Sequence, residues 1–150
     1  MINRYELFSS SVACLYRYVQ KIERTEMAKY GLKGPHAQCL LTISHYPQGI
    51  TASQICEICD KDKAAISRTL AELERTGMIT RADCDGKHYR VSLRLTERGQ
   101  EIAGRVKSLA ALAVEQAGSG LSEEDRAVFY ASLNLIAENL RRISREGIKQ

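Results

Sequence analysis

Between Asp62 and Arg75 the chain sets long cations among very small side chains: Lys63, Ala64, Ala65, Ile66, Ser67, Arg68, Thr69, Leu70, Ala71. On a helix, at roughly 100° per residue, Ala64, Arg68, Ala71 and Arg75 fall opposite an apolar stripe of Ile66, Leu70 and Leu73. The chemistry such a face can do is binding rather than bond-making. Small residues let a backbone approach a partner closely. An arginine offers a planar fork that matches guanine edges or phosphates, and the Ser67 hydroxyl suits either. The N-terminal end of the helix adds free N–H groups and the positive end of its dipole, which favour phosphate. Lys63, Ala64, Ala65, Ser67, Arg68 and Thr69 are therefore the candidate nucleic-acid-reading residues.

The elements that must position this face lie on either side of it. Thr51 and Gln54 have the spacing of a capping box and start a short helix that offers Ala52, Ile55 and Cys59 to a core. Asp60-Lys61-Asp62 breaks that helix, and Asp62 is a good N-cap for the next. Gly77 ends the second helix. Met78 to Asp83 then reads as a strand, Asp85-Gly86 as a turn, and His88 to Leu95 as a strictly alternating strand. Tyr89, Val91, Leu93 and Leu95 share one face of it; His88, Arg90, Ser92 and Arg94 share the other. A hairpin directly after a helix-turn-helix is a wing, with Asp85 to His88 at its tip. Lys87, His88 and Arg90 are its candidate contacts with a groove. Arg81 and Asp83, two residues apart on one strand, share a face and are expected to brace the wing.

The runs Asp62-Lys-Ala-Ala-Ile-Ser-Arg-Thr-Leu70, Leu73-Glu-Arg-Thr-Gly-Met-Ile-Thr-Arg81 and Leu95-Thr-Glu-Arg-Gly99 resemble a MarR-family transcriptional regulator. The likeness in order and spacing spans nearly the whole chain. Where the family's wing usually carries Asp-Arg-Arg, this chain has Asp85-Gly86-Lys87, so Lys87 stands in the arginine's place. The resemblance implies a mainly α, winged helix-turn-helix fold with long terminal helices that pair two subunits. It divides the single domain into a reading head at 35–99 and dimerisation helices at 1–34 and 100–150. It implies a sequence-specific DNA-binding regulator, a ligand-responsive repressor acting as a homodimer on a palindromic operator. Members of the family often bind small aromatic or phenolic anions between the dimer helices and the head, and Tyr16, Arg17, His36, Gln38 and Cys39 come from segments that could line such a pocket. Some members sense peroxide through a cysteine on the first helix, which makes Cys14 the candidate for redox chemistry. The alternatives are a thiol-based oxidant sensor and a winged-helix protein–protein adaptor with no operator.

The rest of the chain fits this frame. Phe8, Val12, Leu15, Val19 and Ile22 recur at 4, 3, 4, 3 spacing on a first helix from Asn3 to Lys29, an a/d seam. Pro35 suits the first turn of a short apolar helix running to His45. Thr96 caps a helix to about Gln116 with Ile102, Val106, Leu109 and Ala113 in line, and Ser122 caps a last helix carrying Phe129, Leu133, Ile136, Leu140 and Ile143. Two such narrow seams at the ends of one chain are expected to interlock with those of a second copy.

At 150 residues, 44% of them apolar, the chain suits one domain with a real core. Its net charge of +4 is only mildly basic, and residues 51–99 carry nine Lys and Arg against eight Asp and Glu. The electrostatic case rests on where the cations sit. No apolar run is long enough to span a membrane and no signal-peptide layout opens the chain, so a cytoplasmic location is expected. The five cysteines are an odd number, and free thiols follow. Cys56-Glu-Ile-Cys59 sits on a helix of the reading unit rather than at a zinc knuckle or redox junction, so both thiols are expected to act as small apolar residues. The three histidines lack ligand spacing, and no metal or cofactor is expected. No nucleophile–base arrangement, P-loop or dinucleotide fingerprint is present, which argues against an enzyme.

Overall fold

In the computed structural model the structure describes residues 3–83 and 91–149. The described elements are α1 (Arg4–Ala28), α2 (Gly34–Ser44), α3 (Ala52–Cys59), α4 (Lys63–Arg75), β1 (Ile79–Asp83), β2 (Val91–Leu95), α5 (Glu97–Ala117) and α6 (Glu123–Glu146). The chain forms two compact units, Met1–Ala111 and Leu112–Gln150, and α5 runs across the boundary between them.

Local side chains start most of these helices. Asn3 accepts the Tyr5 N–H at 3.0 Å. The Thr51 hydroxyl accepts the Gln54 N–H at 3.2 Å, and the Gln54 side chain accepts the Thr51 N–H at 3.0 Å, closing the capping box. Asp62 accepts the Ala65 N–H at 2.8 Å, and Ser122 that of Asp125 at 3.0 Å. Thr96 caps α5 by accepting the Gly99 N–H at 3.1 Å, and its hydroxyl also donates to the Gly77 carbonyl at 2.6 Å. That second bond ties the start of α5 to the end of α4. At α2 the imidazole of His36 accepts the Lys33 N–H at 3.1 Å, a cap that its residue type does not announce. The turn from α3 to α4 passes through Asp60 at φ 50°, a left-handed conformation that Asp tolerates better than most residues.

The helices of the first unit close around one core. Leu40 and Ile43 of α2, Ile55 and Cys59 of α3, and Ile66, Leu70 and Leu73 of α4 are buried together with Met78, Ile79 and Leu93 of the hairpin. Met27 and Leu32 join them from the end of α1 and its following turn, and Ile102, Ala103 and Val106 from the first half of α5. The core therefore crosses the 34/35 and 99/100 boundaries expected from the sequence. The Thr96–Gly77 bond ties the start of α5 to the end of α4, and Ile102, Ala103 and Val106 follow within the next turns of that helix. Gly99 makes this possible: a Cβ there would overlap the Met78 carbonyl oxygen.

The two strands pair antiparallel with Ile79 opposite Leu95, Arg81 opposite Leu93 and Asp83 opposite Val91. β2 also pairs on its other side with Ile50, which exchanges both backbone bonds with Leu93 at 3.1 and 2.8 Å. Arg94 adds a bond from its guanidinium to the Gln48 carbonyl at 2.9 Å. Ser92, expected on the outward face with Arg94, is instead buried, because Gly49 lies against it so closely that a Cβ would collide with the Ser92 hydroxyl. The wing is thereby sewn to the turn that precedes the helix-turn-helix. The first strand was expected to begin at Met78, one residue earlier; the part of the second strand expected at 88–90 lies outside the described residues.

The terminal helices look different. Phe8, Val12 and Leu15 of α1 are exposed, and α6 has no buried residue: Phe129, Leu133, Ile136, Leu140 and Ile143 all face outward from their own unit. Within the second unit, Arg126 of α6 holds the turn before it by bonds to the Glu115 carboxylate at 2.7 Å and the Gly118 carbonyl at 2.9 Å. Among the described residues no helix is long and apolar enough to cross a membrane.

Candidate nucleic-acid interface

The face of α4 opposite the core carries the expected cations. Lys63, Ala64, Ser67 and Arg68 are exposed, and Ala65 is half-buried. Among the described residues neither Lys63 nor Arg68 forms an ion pair, whereas Arg75 at the other end of the helix is held by the Glu72 carboxylate through two bonds, at 2.6 and 3.0 Å. The Arg75 guanidinium holds the Glu72 carboxyl below the usual range, mainly through that hydrogen bond. The N-terminal half of α4 thus presents unpaired positive charge, and the C-terminal half presents a neutralised pair. Thr69 departs from the expected set. It is buried, and its hydroxyl donates to the Ala65 carbonyl at 3.0 Å, so it packs the inner side of α4 rather than facing a partner.

Arg81 of β1 reaches back to Glu74 of α4, Nε to Oε2 at 2.7 Å. The bracing expected of Arg81 is therefore directed at the exposed end of α4, and it fixes the hairpin against that helix. Both side chains are more than a third exposed, so the pair acts as an orienting contact more than a source of stability. Asp83 ends β1 opposite Val91, and the bracing expected of its side chain lies outside the described part of the structure. So do the wing contacts expected of Lys87, His88 and Arg90.

Beside α4 the first unit has an open cleft of about 1020 Å³, walled by α1, α2, the end of α3 and the inner edge of α4. Tyr16, His36, Gln38 and Cys39, four of the five residues expected to line a pocket, line this one. Arg17 does not; its guanidinium lies 5.3 Å from the ring centre of Tyr18 on the same helix. Sequence reasoning missed Arg24, Lys33 and Lys61, which with Arg68 give the cleft four cations against the carboxylates of Glu23 and Asp60. Burial raises the Glu23 carboxyl above its usual value. Arg68 borders both the cleft and the outward face of α4. Burial, then the charge of Lys33, holds the His36 imidazole below its ordinary value, against an opposing pull from Glu72. The neutral ring is the form that accepts the Lys33 N–H.

The four described cysteines are free thiols. Cys14, the candidate for redox chemistry, is exposed on α1. Cys59 is buried as expected, but Cys56 is only half-buried. The Cys59 sulfur lies 3.6 Å from the Thr42 hydroxyl of α2. Burial first, then the neighbouring Cys59 thiol and its hydrogen bond, push the Cys39 thiol up to about 12, so it stays protonated and poorly nucleophilic near neutral pH. Among the described residues no group of three or more His, Cys, Asp or Glu side chains converges to hold a metal ion.

A core-packed helix-turn-helix followed by a two-stranded hairpin braced against the second helix defines a winged helix-turn-helix protein. The family model described as "MarR family" matches residues 30–88, which span α2, α3, α4 and β1. Solved structures match over almost the entire chain. A MarR transcriptional regulator from Methanosarcina mazei superimposes with a TM-score of 0.79 at 22% identity, over 92% of this chain and 99% of that one. A MarR-family regulator from Listeria monocytogenes, complexed with a 26-mer DNA, matches with a TM-score of 0.76 at 21% identity, over 94% and 95%. Streptococcus pneumoniae FabT, in complex with DNA, matches with a TM-score of 0.74 at 23% identity, over 93% and 99%. The head of the chain, residues 30–88, thus matches the MarR family model, and the chain shares the winged-helix fold of these regulators.

Proposed function

We propose that this protein is a homodimeric repressor that reads a palindromic duplex operator and releases it when a small aromatic or phenolic anion binds. The observation that carries the reading is the outward face of α4, where Lys63, Ser67 and Arg68 stand exposed among alanines on a helix whose other side is fixed in the core. A helix so held can enter a major groove without itself deforming, and its free cations can meet base edges and phosphates. The DNA complexes of the Listeria regulator and of FabT, which share this fold, support the same partner.

The dimer is supported by the stripes on α1 and α6. Two long helices with exposed apolar seams would be unfavourable in an isolated chain, and a second copy is the natural cover for such seams. A two-fold pair of reading helices contacts half-sites about one turn of DNA apart, which is why the operator should be palindromic. The cleft supports the effector: its walls join aromatic and apolar surface with a surplus of cations, which suits a flat anion. Because Arg68 borders both the cleft and the reading face, a bound anion would compete with DNA for that guanidinium. Release follows if the anion favours the arrangement that cannot engage both half-sites.

The test is binding to duplex DNA as salt rises. Selective binding should weaken with a log–log slope near −0.9 for each phosphate neutralised. A winged-helix protein that bridges other proteins would show no sequence-selective shift at any salt concentration.

A further inference from the structure

One peptide group joins the end of α4 to the start of α5. Its N–H, that of Met78, donates to the Leu73 carbonyl in the last turn of α4 at 2.9 Å. Its C=O, that of Gly77, accepts the Thr96 hydroxyl at 2.6 Å. The same hydroxyl oxygen caps α5 by accepting the Gly99 N–H at 3.1 Å. The next carbonyl, that of Met78, accepts the Thr96 N–H at 3.0 Å, and Gly99 leaves it room, since a Cβ there would overlap its oxygen. Thr96 therefore takes two successive carbonyls beyond α4 while it starts α5. Capping a helix requires only an acceptor. The proton given to Gly77 does something else: it clasps one helix to the other through a peptide group bonded at both ends.

The place of this clasp gives it leverage. α4 has 13 residues, so its first turn lies roughly 20 Å from the clasp, at about 1.5 Å per residue. A tilt of about 10° at the clasped end moves that turn by about 3.4 Å, the rise of one base pair. We propose that Thr96 is a positioning residue for operator reading: by clasping the Gly77–Met78 peptide it fixes the tilt of α4 against α5, and with it the distance between half-sites that a dimer accepts. α5 is continuous from Glu97 to Ala117. Its Glu115 carboxylate is bonded by Arg126 of α6, the helix whose stripe is the proposed contact with a second copy. Thr96 thus stands where the reading helix joins the helix that leads to the partner. The consequence for spacing rests on the proposed reading of a palindrome by a dimer; the clasp itself does not.

The test compares the full-length wild type with Thr96→Ser, which keeps both bonds, and Thr96→Asp, which keeps the cap on α5 but has no proton to give Gly77. Fluorescence anisotropy measures each on the duplex that the wild type selects from random sequence, and on the same duplex with one base pair added between its half-sites. The preference for the original spacing should fall roughly fivefold in Thr96→Asp, a factor that one hydrogen bond supports, and persist in Thr96→Ser. If Thr96→Asp does not fold, Thr96→Val, close in shape but without the hydroxyl, takes its place. Amide hydrogen exchange at Met78 reads the clasp without DNA: it should quicken in Thr96→Asp and keep the wild-type rate in Thr96→Ser. Unchanged exchange in Thr96→Asp would overturn the clasp. Faster exchange with an undiminished spacing preference would overturn its role in spacing and leave Thr96 a helix cap. A wild type that selects no duplex would contradict the proposed function instead, and exchange at Met78 would still decide the clasp.

Discussion

The reading head and the terminal helices use the same apolar spacing and reach opposite ends of the burial scale. On α4, Ile66, Leu70 and Leu73 stand 4 and 3 residues apart and are 3%, 1% and 0% exposed. On α1, Phe8, Val12 and Leu15 have the same 4, 3 spacing and are 38%, 42% and 58% exposed. Periodicity therefore fixes which face of a helix is apolar, but not what covers it. In the head the cover comes from neighbouring elements of the same unit. For the stripe on α1, and separately that on α6, we propose that it comes from a second copy.

Substitutions can break this contrast. Leu70→Ala removes a side chain at the centre of the head's core and should cost about 2–5 kcal/mol, read as a fall in the denaturation midpoint at every protein concentration. Leu133→Glu on α6 should leave the head folded and instead halve the mass in sedimentation equilibrium. Its melting temperature should also lose the dependence on concentration expected of the wild-type dimer. A monomeric wild-type protein would remove the contrast altogether.

Acid should sharpen the view of the head on a smaller scale. Burial is the leading cause that holds His36 and His45 below their ordinary value of 6.5, with Lys33 and Lys107 respectively adding to it. A folded value below the unfolded one means that the unfolded chain binds protons first. The contribution to stability is then complete above about 6.5 and declines as pH falls through that value toward the folded one. Thermal midpoints should drop between pH 7 and pH 5. His36→Gln, which keeps an acceptor for the Lys33 N–H but cannot titrate, should flatten part of that slope. An identical slope in the variant would remove His36 from the account.

How much could be read from the sequence follows the range of each interaction. The caps at Thr51, Asp62, Thr96 and Ser122 were legible because each joins residues within three positions of one another. The order of helices and hairpin was legible from apolar period and turn residues. The third pairing of the sheet, Ile50 with Leu93, was not, because its partners lie far apart in sequence and no turn fixes their register. Gly49 and Ser92 escaped for the same reason. Thr69 could have been placed correctly: it lies about 60° from Ile66 around the helix, on the shoulder of the buried stripe. The cleft was half legible. Tyr16, His36, Gln38 and Cys39 came from the right segments, whereas the cations at Arg24, Lys33 and Lys61, and the contact of Thr42 with Cys59, arise only when separate helices are brought together.

The central claim is that the exposed N-terminal half of α4 reads duplex DNA. Its most direct test is fluorescence anisotropy with a labelled operator duplex, selected by this protein from random sequence, comparing wild type with Arg68→Ala at fixed salt. The variant should lose about 1–3 kcal/mol of binding free energy, with relaxed selectivity at one base position in each half-site, and its melting temperature should stay that of the wild type. Undiminished affinity and selectivity in a folded Arg68→Ala protein would contradict the account.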